Sequence, residues 1–203
     1  MRKPKLRELR EALKVLFIEG PYTSKFPAGM TVPPETFRGK PQFDPDVCIG
    51  CGACSEVCPS RAIEIVDDPA AGKRTLKLRY DICNFCGQCH LYCTTKDGID
   101  YTTEYDLAGF DRSEMVVTIE HELALCEVCG GVVATKDHLR WIAKRLGSLA
   151  YANPTLILSG LEELSQTDPI EPRDKERPIY REDIFKIMCP ACRRKMYLTE
   201  EWG

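Results

Sequence analysis

The chain has 203 residues, 43% hydrophobic and 29% charged, which suits one ordinary domain or two small ones and excludes a disordered or fibrous protein. Its formal net charge of −3 gives no global positive field for nucleic acid or anionic lipid, and no run of about 18 uncharged apolar residues marks a membrane span. Twelve cysteines, set in C-x2-C pairs and with no export signal ahead of them, read as metal ligands in a cytoplasmic protein, soluble or peripheral, and not as disulfides.

Residues 5–18 are predicted to be a helix with Leu6, Leu9, Leu13, Leu16 and Phe17 on one stripe. Residues 1–18 carry six Lys/Arg (Arg2, Lys3, Lys5, Arg7, Arg10, Lys14) against Glu8 and Glu11, the pattern of a helix on a membrane surface or a partner subunit. A helix packed back on its own domain shows the same stripe. Six prolines between residues 21 and 45 then predict an extended arm without regular structure.

Cys48, Cys51, Cys54 and Cys58 form a C-x2-C-x2-C-x3-C run followed by Pro59, and Cys83, Cys86, Cys89 and Cys93 repeat it at a constant offset of 35 residues. Three closely spaced thiolates let one loop wrap a [4Fe–4S] cubane, while the fourth is carried away to ligate the other cluster. Cys48, Cys51, Cys54 and Cys93 are thereby assigned to cluster 1, and Cys83, Cys86, Cys89 and Cys58 to cluster 2. A pair of zinc knuckles is the alternative, but zinc sites do not need a third cysteine at that interval. Asp46 aligns with Asp81, Gly52 with Gly87, and Ile63 and Ile65 with Ile99 and Tyr101 after a one-residue shift. Each half reads as strand, cluster loop, short helix, strand, with Gly50, Gly52 and Gly87 letting backbone N–H groups approach the sulfides. Thr94 stands where Pro59 follows the first run, so the two halves leave their clusters differently.

Beyond residue 103, residues 115–119 are predicted to be a strand and residues 135–146 a helix with Leu139, Ile142, Ala143 and Leu146 inward. Cys126 and Cys129, with Cys189 and Cys192, make two knuckle-like pairs 59 residues apart that close a four-thiolate zinc site; a rubredoxin-type iron or a third cluster is the alternative. Residues 162–183, rich in Glu, Asp and Pro, read as a solvated excursion. His90, His121 and His138 read as structural or surface residues, because the cysteines already complete three four-ligand sites. The expected architecture is α+β: helix and arm over residues 1–45, a ferredoxin-like domain over 46–103, and a zinc-ribbon-like module over 104–203. No catalytic residue is predicted.

The Phe37-Arg38-Gly39-Lys40-Pro41 segment, the two cysteine runs, Glu104-Tyr105-Asp106-Leu107-Ala108 and the C-terminal pairs together resemble the iron–sulfur subunit of formate hydrogenlyase and related energy-converting [NiFe] hydrogenases. That subunit is in turn similar to the two-cluster subunit of respiratory complex I. The resemblance implies an electron-relaying subunit whose partners are hydrogenase or complex-I-like subunits and a redox donor protein, peripheral at the inner face of the cytoplasmic membrane. Two other readings compete. A mobile ferredoxin would have no need of the flanking regions. A zinc-ribbon module binding nucleic acid through Arg193, Arg194 and Lys195 sits poorly with the acidic chain.

Overall fold

The computed structural model describes residues 5–20, 23, 26–29, 31–164, 166 and 179–199, so most of the expected excursion at 162–183 lies outside the described residues. The chain divides into two compact units, Met1–Phe37 and Arg38–Gly203.

In the first unit, helix α1 (Leu6–Lys14) continues as a π-helical turn over Val15–Glu19 and stops at Gly20, whose φ of 71° a side chain would resist. Its apolar stripe faces outward: Leu6 is 86% exposed and Phe17 80%. Among the described residues no helix is long and apolar enough to cross a membrane.

The second unit holds two antiparallel sheets. Strand β1 (Pro41–Phe43) pairs with β4 (Ile99–Tyr101), so the expected proline-rich arm ends in a strand. Pro41 is tolerated as the first residue of a two-stranded edge, where its missing N–H costs no ladder bond. The other sheet has the order β2 (Ile63–Asp68), β3 (Lys73–Arg79), β5 (Val116–Leu125), β6 (Val132–Thr135). Phe43, Ala62, Ile63, Leu76, Leu78 and Ile99 form the core beneath the cysteine runs. The pairing of β5 with β3, Val117 opposite Leu78 and Ile119 opposite Leu76, carries one sheet across residue 103.

Short helices α2 (Ala53–Glu56) and α3 (Gln88–Leu91) follow the two cysteine loops at the 35-residue offset. The repeat reaches the backbone: left-handed φ values recur at Gly50 and Phe85, Gly52 and Gly87, Arg61 and Lys96. Further on, α4 (Lys136–Leu146) is capped by Thr135, and α5 (Pro154–Glu163) by Asn153 with Pro154 in its first turn. Leu139 and Leu156 meet over Ala124, and α6 (Pro190–Thr199) closes a separate cluster with Met188 and Met196.

Candidate metal centres

Helix α2 turns the first run so that Cys48, Cys51 and Cys54 face one small cavity, and the fourth thiol lining it is Cys93, from the second run. Cys93 approaches because Gly98 has no side chain: a Cβ there would lie 3.1 Å from the Cys48 Cα and 3.3 Å from the Cys93 Sγ. Electrostatic neighbours tell the same story. Burial pushes the Cys48 thiol up to about 11, with Cys51 and Cys93 adding to it, and pushes Cys54 up to about 12, with Cys48, Cys51 and Cys89 beside it.

The second group is crossed in the opposite sense. Burial pushes Cys89 up to about 11, and the thiols around it are Cys83, Cys86 and Cys58 of the first run. Burial likewise raises Cys83, with Cys58 and Cys86 as its neighbours. Burial acts on Cys58 too, but the Ser60 hydroxyl and the N–H groups of Ala62, Ile63 and Ser60 outweigh it and hold this thiol below its ordinary value. The Ala62 N–H donates to the Cys58 Sγ at 3.2 Å and the Phe85 N–H to the Cys83 Sγ at 3.4 Å. Phe85 accepts a left-handed φ of 51° in the loop that makes this contact.

Both thiol groups fit a polynuclear cluster. Each brings together four thiols, with backbone N–H groups aimed at sulfur and a glycine where a side chain would intrude. A Cβ on Gly52 would meet the Ile65 Cδ1 at 2.6 Å, and one on Gly87 the Tyr101 hydroxyl at 3.0 Å. Thiols raised this far by burial ionise when a cation is there to hold them, so metal uptake at these sites releases protons.

The first cysteine loop is braced from the C-terminal region. Thr135 donates from its hydroxyl to the Ile49 carbonyl at 2.5 Å, and Arg74 donates to the Gly50 carbonyl at 3.0 Å while gripping Asp67 through two bonds. The ring of His121 fills the space beside Gly50 so closely that a Cβ there would lie 2.7 Å from it. His121 is buried and its Nδ1 lies 2.9 Å from the Asp137 carboxylate. His90 lies on the second loop's helix with Nδ1 3.0 Å from the Ile99 carbonyl, and His138 is held low by burial and by nearby Arg74. Sequence reasoning missed Thr135 and Arg74 as loop braces. The local signal was weak, because each acts through a partner more than 20 residues away.

Cys126, Cys129, Cys189 and Cys192 come together despite their separation, with all four Sγ atoms within 4.8 Å of one another. Cys129 and Cys189 are 3.8 Å apart, the edge of a tetrahedron whose metal–sulfur bonds are about 2.3 Å. Such crowding fits a single ion and leaves no room for a third cluster. The Glu127 N–H donates to the Ile187 carbonyl, and the Ile187 N–H donates to the Glu127 carboxylate, each at 2.9 Å. Arg193 spends its guanidinium on the carbonyls of Ile184 and Lys186 and on the Thr155 hydroxyl, which ties the second knuckle to α5.

Fold and thiol arrangement thus define a ferredoxin-type protein with a site for each of two clusters and a separate four-thiol centre. Residues 47–96 match the 4Fe-4S dicluster domain family. NAD(P)H-quinone oxidoreductase subunit I of Gloeobacter violaceus is 31% identical over 177 residues, covering 84% of this chain and 76% of that protein. Formate hydrogenlyase subunit 6 of Escherichia coli is 32% identical over 128 residues, covering 63% of this chain and 70% of that protein. A chain in the structure of the membrane-bound sulfane sulfur reductase, an archaeal respiratory membrane complex, is 31% identical over 57% of this chain and 61% of that one, with a TM-score of 0.38, too loose a superposition to argue from. The chain belongs to the subunit I family of the quinone oxidoreductases, with formate hydrogenlyase subunit 6 among its relatives.

Proposed function

We propose that this chain is the subunit that relays single electrons through two [4Fe–4S] clusters inside a membrane-associated oxidoreductase of the complex I and formate hydrogenlyase kind. The observation that carries it is the crossed gathering of the eight cysteines, in which each run lends its fourth thiol to the other cavity. Cluster 1 takes Cys48, Cys51, Cys54 and Cys93; cluster 2 takes Cys83, Cys86, Cys89 and Cys58. Clusters held by these cysteines would supply one-electron redox chemistry, with no ligand position left open for a substrate. The chain's own residues fix the thiols and aim N–H groups at sulfur. The proximity of Cys54 to Cys89 supports direct passage between the two sites.

Cys126, Cys129, Cys189 and Cys192 hold zinc in this reading, a structural ion suited to a closed, crowded four-thiolate site. The exposed stripe of α1 supports its docking on a partner subunit or at the membrane surface, with residues 1–45 as the attachment region, 46–103 as the cluster domain and 104–203 as the zinc-bearing module. A hydrogenase or complex-I-like subunit is then the neighbour at either end of the relay. The mobile-carrier reading leaves α1's outward apolar face without a purpose, and the nucleic-acid reading loses Arg193, which is engaged inside the fold.

The test is metal analysis and spectroscopy of the anaerobically purified chain. About eight irons and one zinc per chain, with two reducible paramagnetic signals, are expected. Ten or more irons without zinc would overturn the zinc assignment, and absence of the two signals would overturn the relay. In the assembled complex, Cys51→Ser and Cys86→Ser should each block electron flow while leaving the subunit in place.

A further inference from the structure

The two halves repeat in backbone and thiols, but they differ at the position that covers the second glycine of each loop. In the first half the residue over Gly52 is Ile65, an aliphatic side chain. In the second half the residue over Gly87 is Tyr101, with its hydroxyl 3.0 Å from where a Cβ would stand. The Tyr101 hydroxyl oxygen is buried and has no hydrogen-bond partner among the described residues. A buried O–H left without a partner costs about 1–3 kcal/mol, so the position calls for an acceptor.

The surroundings indicate what that acceptor is. Tyr101 interacts electrostatically with Cys89, Cys86 and Cys83, three of the thiols of the second cavity. Its phenolic O–H can donate to an acceptor set against it. Arg38 brings its guanidinium to the same glycine, Nη1 standing 3.8 Å from the Cβ position. Its backbone is placed by the zipper between residues 39–40 and the chain after β4. The Gly39 N–H donates to the Thr102 carbonyl, the Lys40 N–H to Glu104 and the Thr102 N–H back to Lys40. Gly39 must be glycine, because a Cβ would collide with the carbonyls of Thr102 and Glu104.

We propose that Tyr101 donates a hydrogen bond to a sulfur of cluster 2, and that with the positive charge of Arg38 it raises the potential of that cluster, an adjustment cluster 1 lacks at the Ile65 position. The inference rests on the two-cluster reading above. A hydrogen bond and a positive charge at the sulfurs favour the reduced cluster, which carries one more negative charge. The side-chain hydroxyls beside cysteine sulfurs are distributed differently, two at cluster 1 ligands and one at a cluster 2 ligand. The Thr94 and Thr95 hydroxyls lie 3.2 Å and 3.4 Å from the Cys51 and Cys93 sulfurs, and the Ser60 hydroxyl lies 3.6 Å from Cys58. The Tyr101–Arg38 pair therefore acts as a local adjustment of one cluster, independent of the rank of the two potentials.

Tyr101→Phe isolates the hydroxyl, because the ring and its tilted contact with His90, 6.0 Å between centroids, are kept. The full chain is reduced stepwise under anaerobic conditions and followed by electron paramagnetic resonance, with Cys51→Ser and Cys86→Ser assigning the signals. In Y101F the ratio of reduced to oxidised cluster 2 at fixed potential should fall about tenfold, a shift of about 59 mV to lower potential for one electron. The midpoint of cluster 1 should not move. In heavy water the cluster 2 signal of the native chain should lose an exchangeable-proton coupling that Y101F never shows. Arg38→Gln, a change at an exposed side chain, should shift cluster 2 in the same direction, and it carries the test alone if Y101F does not retain eight irons. Unchanged cluster 2 midpoints in the iron-replete variants, or a shift confined to cluster 1, overturn the inference and leave the relay intact. A native chain without two cluster signals overturns the relay itself.

Discussion

Thr135 serves two elements with one hydroxyl, donating to the Ile49 carbonyl in the first cysteine loop and accepting from the His138 N–H at the start of α4. Valine keeps the shape and removes both bonds. The loss combines an unsatisfied buried carbonyl, about 1–3 kcal/mol, with a lost helix cap of about 1 kcal/mol. Thr135→Val should therefore destabilise the unit by about 2–4 kcal/mol, read as a lowered urea midpoint, and Thr135→Ser should recover most of it. Arg74 braces the same loop through a carboxylate, so its hold depends on pH. The bonds from Arg74 keep Asp67 below its ordinary value of 3.8. In the folded chain Asp67 stays charged to lower pH than in the unfolded chain, so its contribution is complete above about pH 4 and fades as pH falls further. Asp67→Asn should bleach the clusters faster than the native chain at pH 7, with the difference closing below about pH 4. The crossed ligation is also decided residue by residue. Cys58→Ser should perturb the signal of the cluster held by Cys83, Cys86 and Cys89, and Cys93→Ser the other. If Cys58→Ser instead matches Cys51→Ser, each run holds its own cluster.

At the scale of elements, what could be read from the sequence depended on how local the determinant was. The cysteine spacing, the capped α4 and the amphipathic α1 are written within single windows; α4 falls within one residue of expectation, whereas α1 ends at Lys14 and reaches the expected end near residue 18 only through the π-helical turn over Val15–Glu19. Strand β5 was legible only as far as Ile119, because Glu120-His121-Glu122 interrupts its apolar run. In the structure His121 occupies an inward position of the alternation, buried against Gly50, while Glu120 and Glu122 face out. A polar residue whose partner is distant hides the periodicity of the strand that carries it. β1 was hidden in the same way, its six-proline context pointing to an arm while its ladder partner β4 lies more than 50 residues on. The exposed stripe of α1 yields a test at this scale. Deleting residues 1–18 should release the subunit from its complex without changing its iron content, and unchanged co-purification would dismiss the docking role.

For the molecule as a whole, the β5–β6 hairpin joins the four-thiol centre to cluster 1. The first knuckle, residues 126–131, is the tip of that hairpin, fixed by bonds from the Cys126 N–H to Gly131 and from the Gly130 N–H to Cys126. From this tip β6 runs directly to Thr135 on the Ile49 carbonyl, and β5 runs back to His121 beside Gly50. The second cysteine loop is supported elsewhere. The Tyr80 N–H ahead of it donates to the carbonyl of Met115, the residue before β5, and Arg38 with Tyr101 of β4 covers Gly87. Loss of the ion should thus be felt unequally. Cys189→Ser, or a chelator acting on the ion proposed for this centre, should free the pairing of Glu127 with Ile187 and let the hairpin tip move. The braces of the cluster 1 loop then loosen first, while the β3–β5 ladder from Leu76–Ile119 to Arg79–Val116 stays paired. Paramagnetic resonance of the metal-depleted chain should show the cluster 1 signal broadened or reduced and the cluster 2 signal retained. Equal loss of both signals, or of neither, would show that the hairpin does not transmit the state of the four-thiol centre.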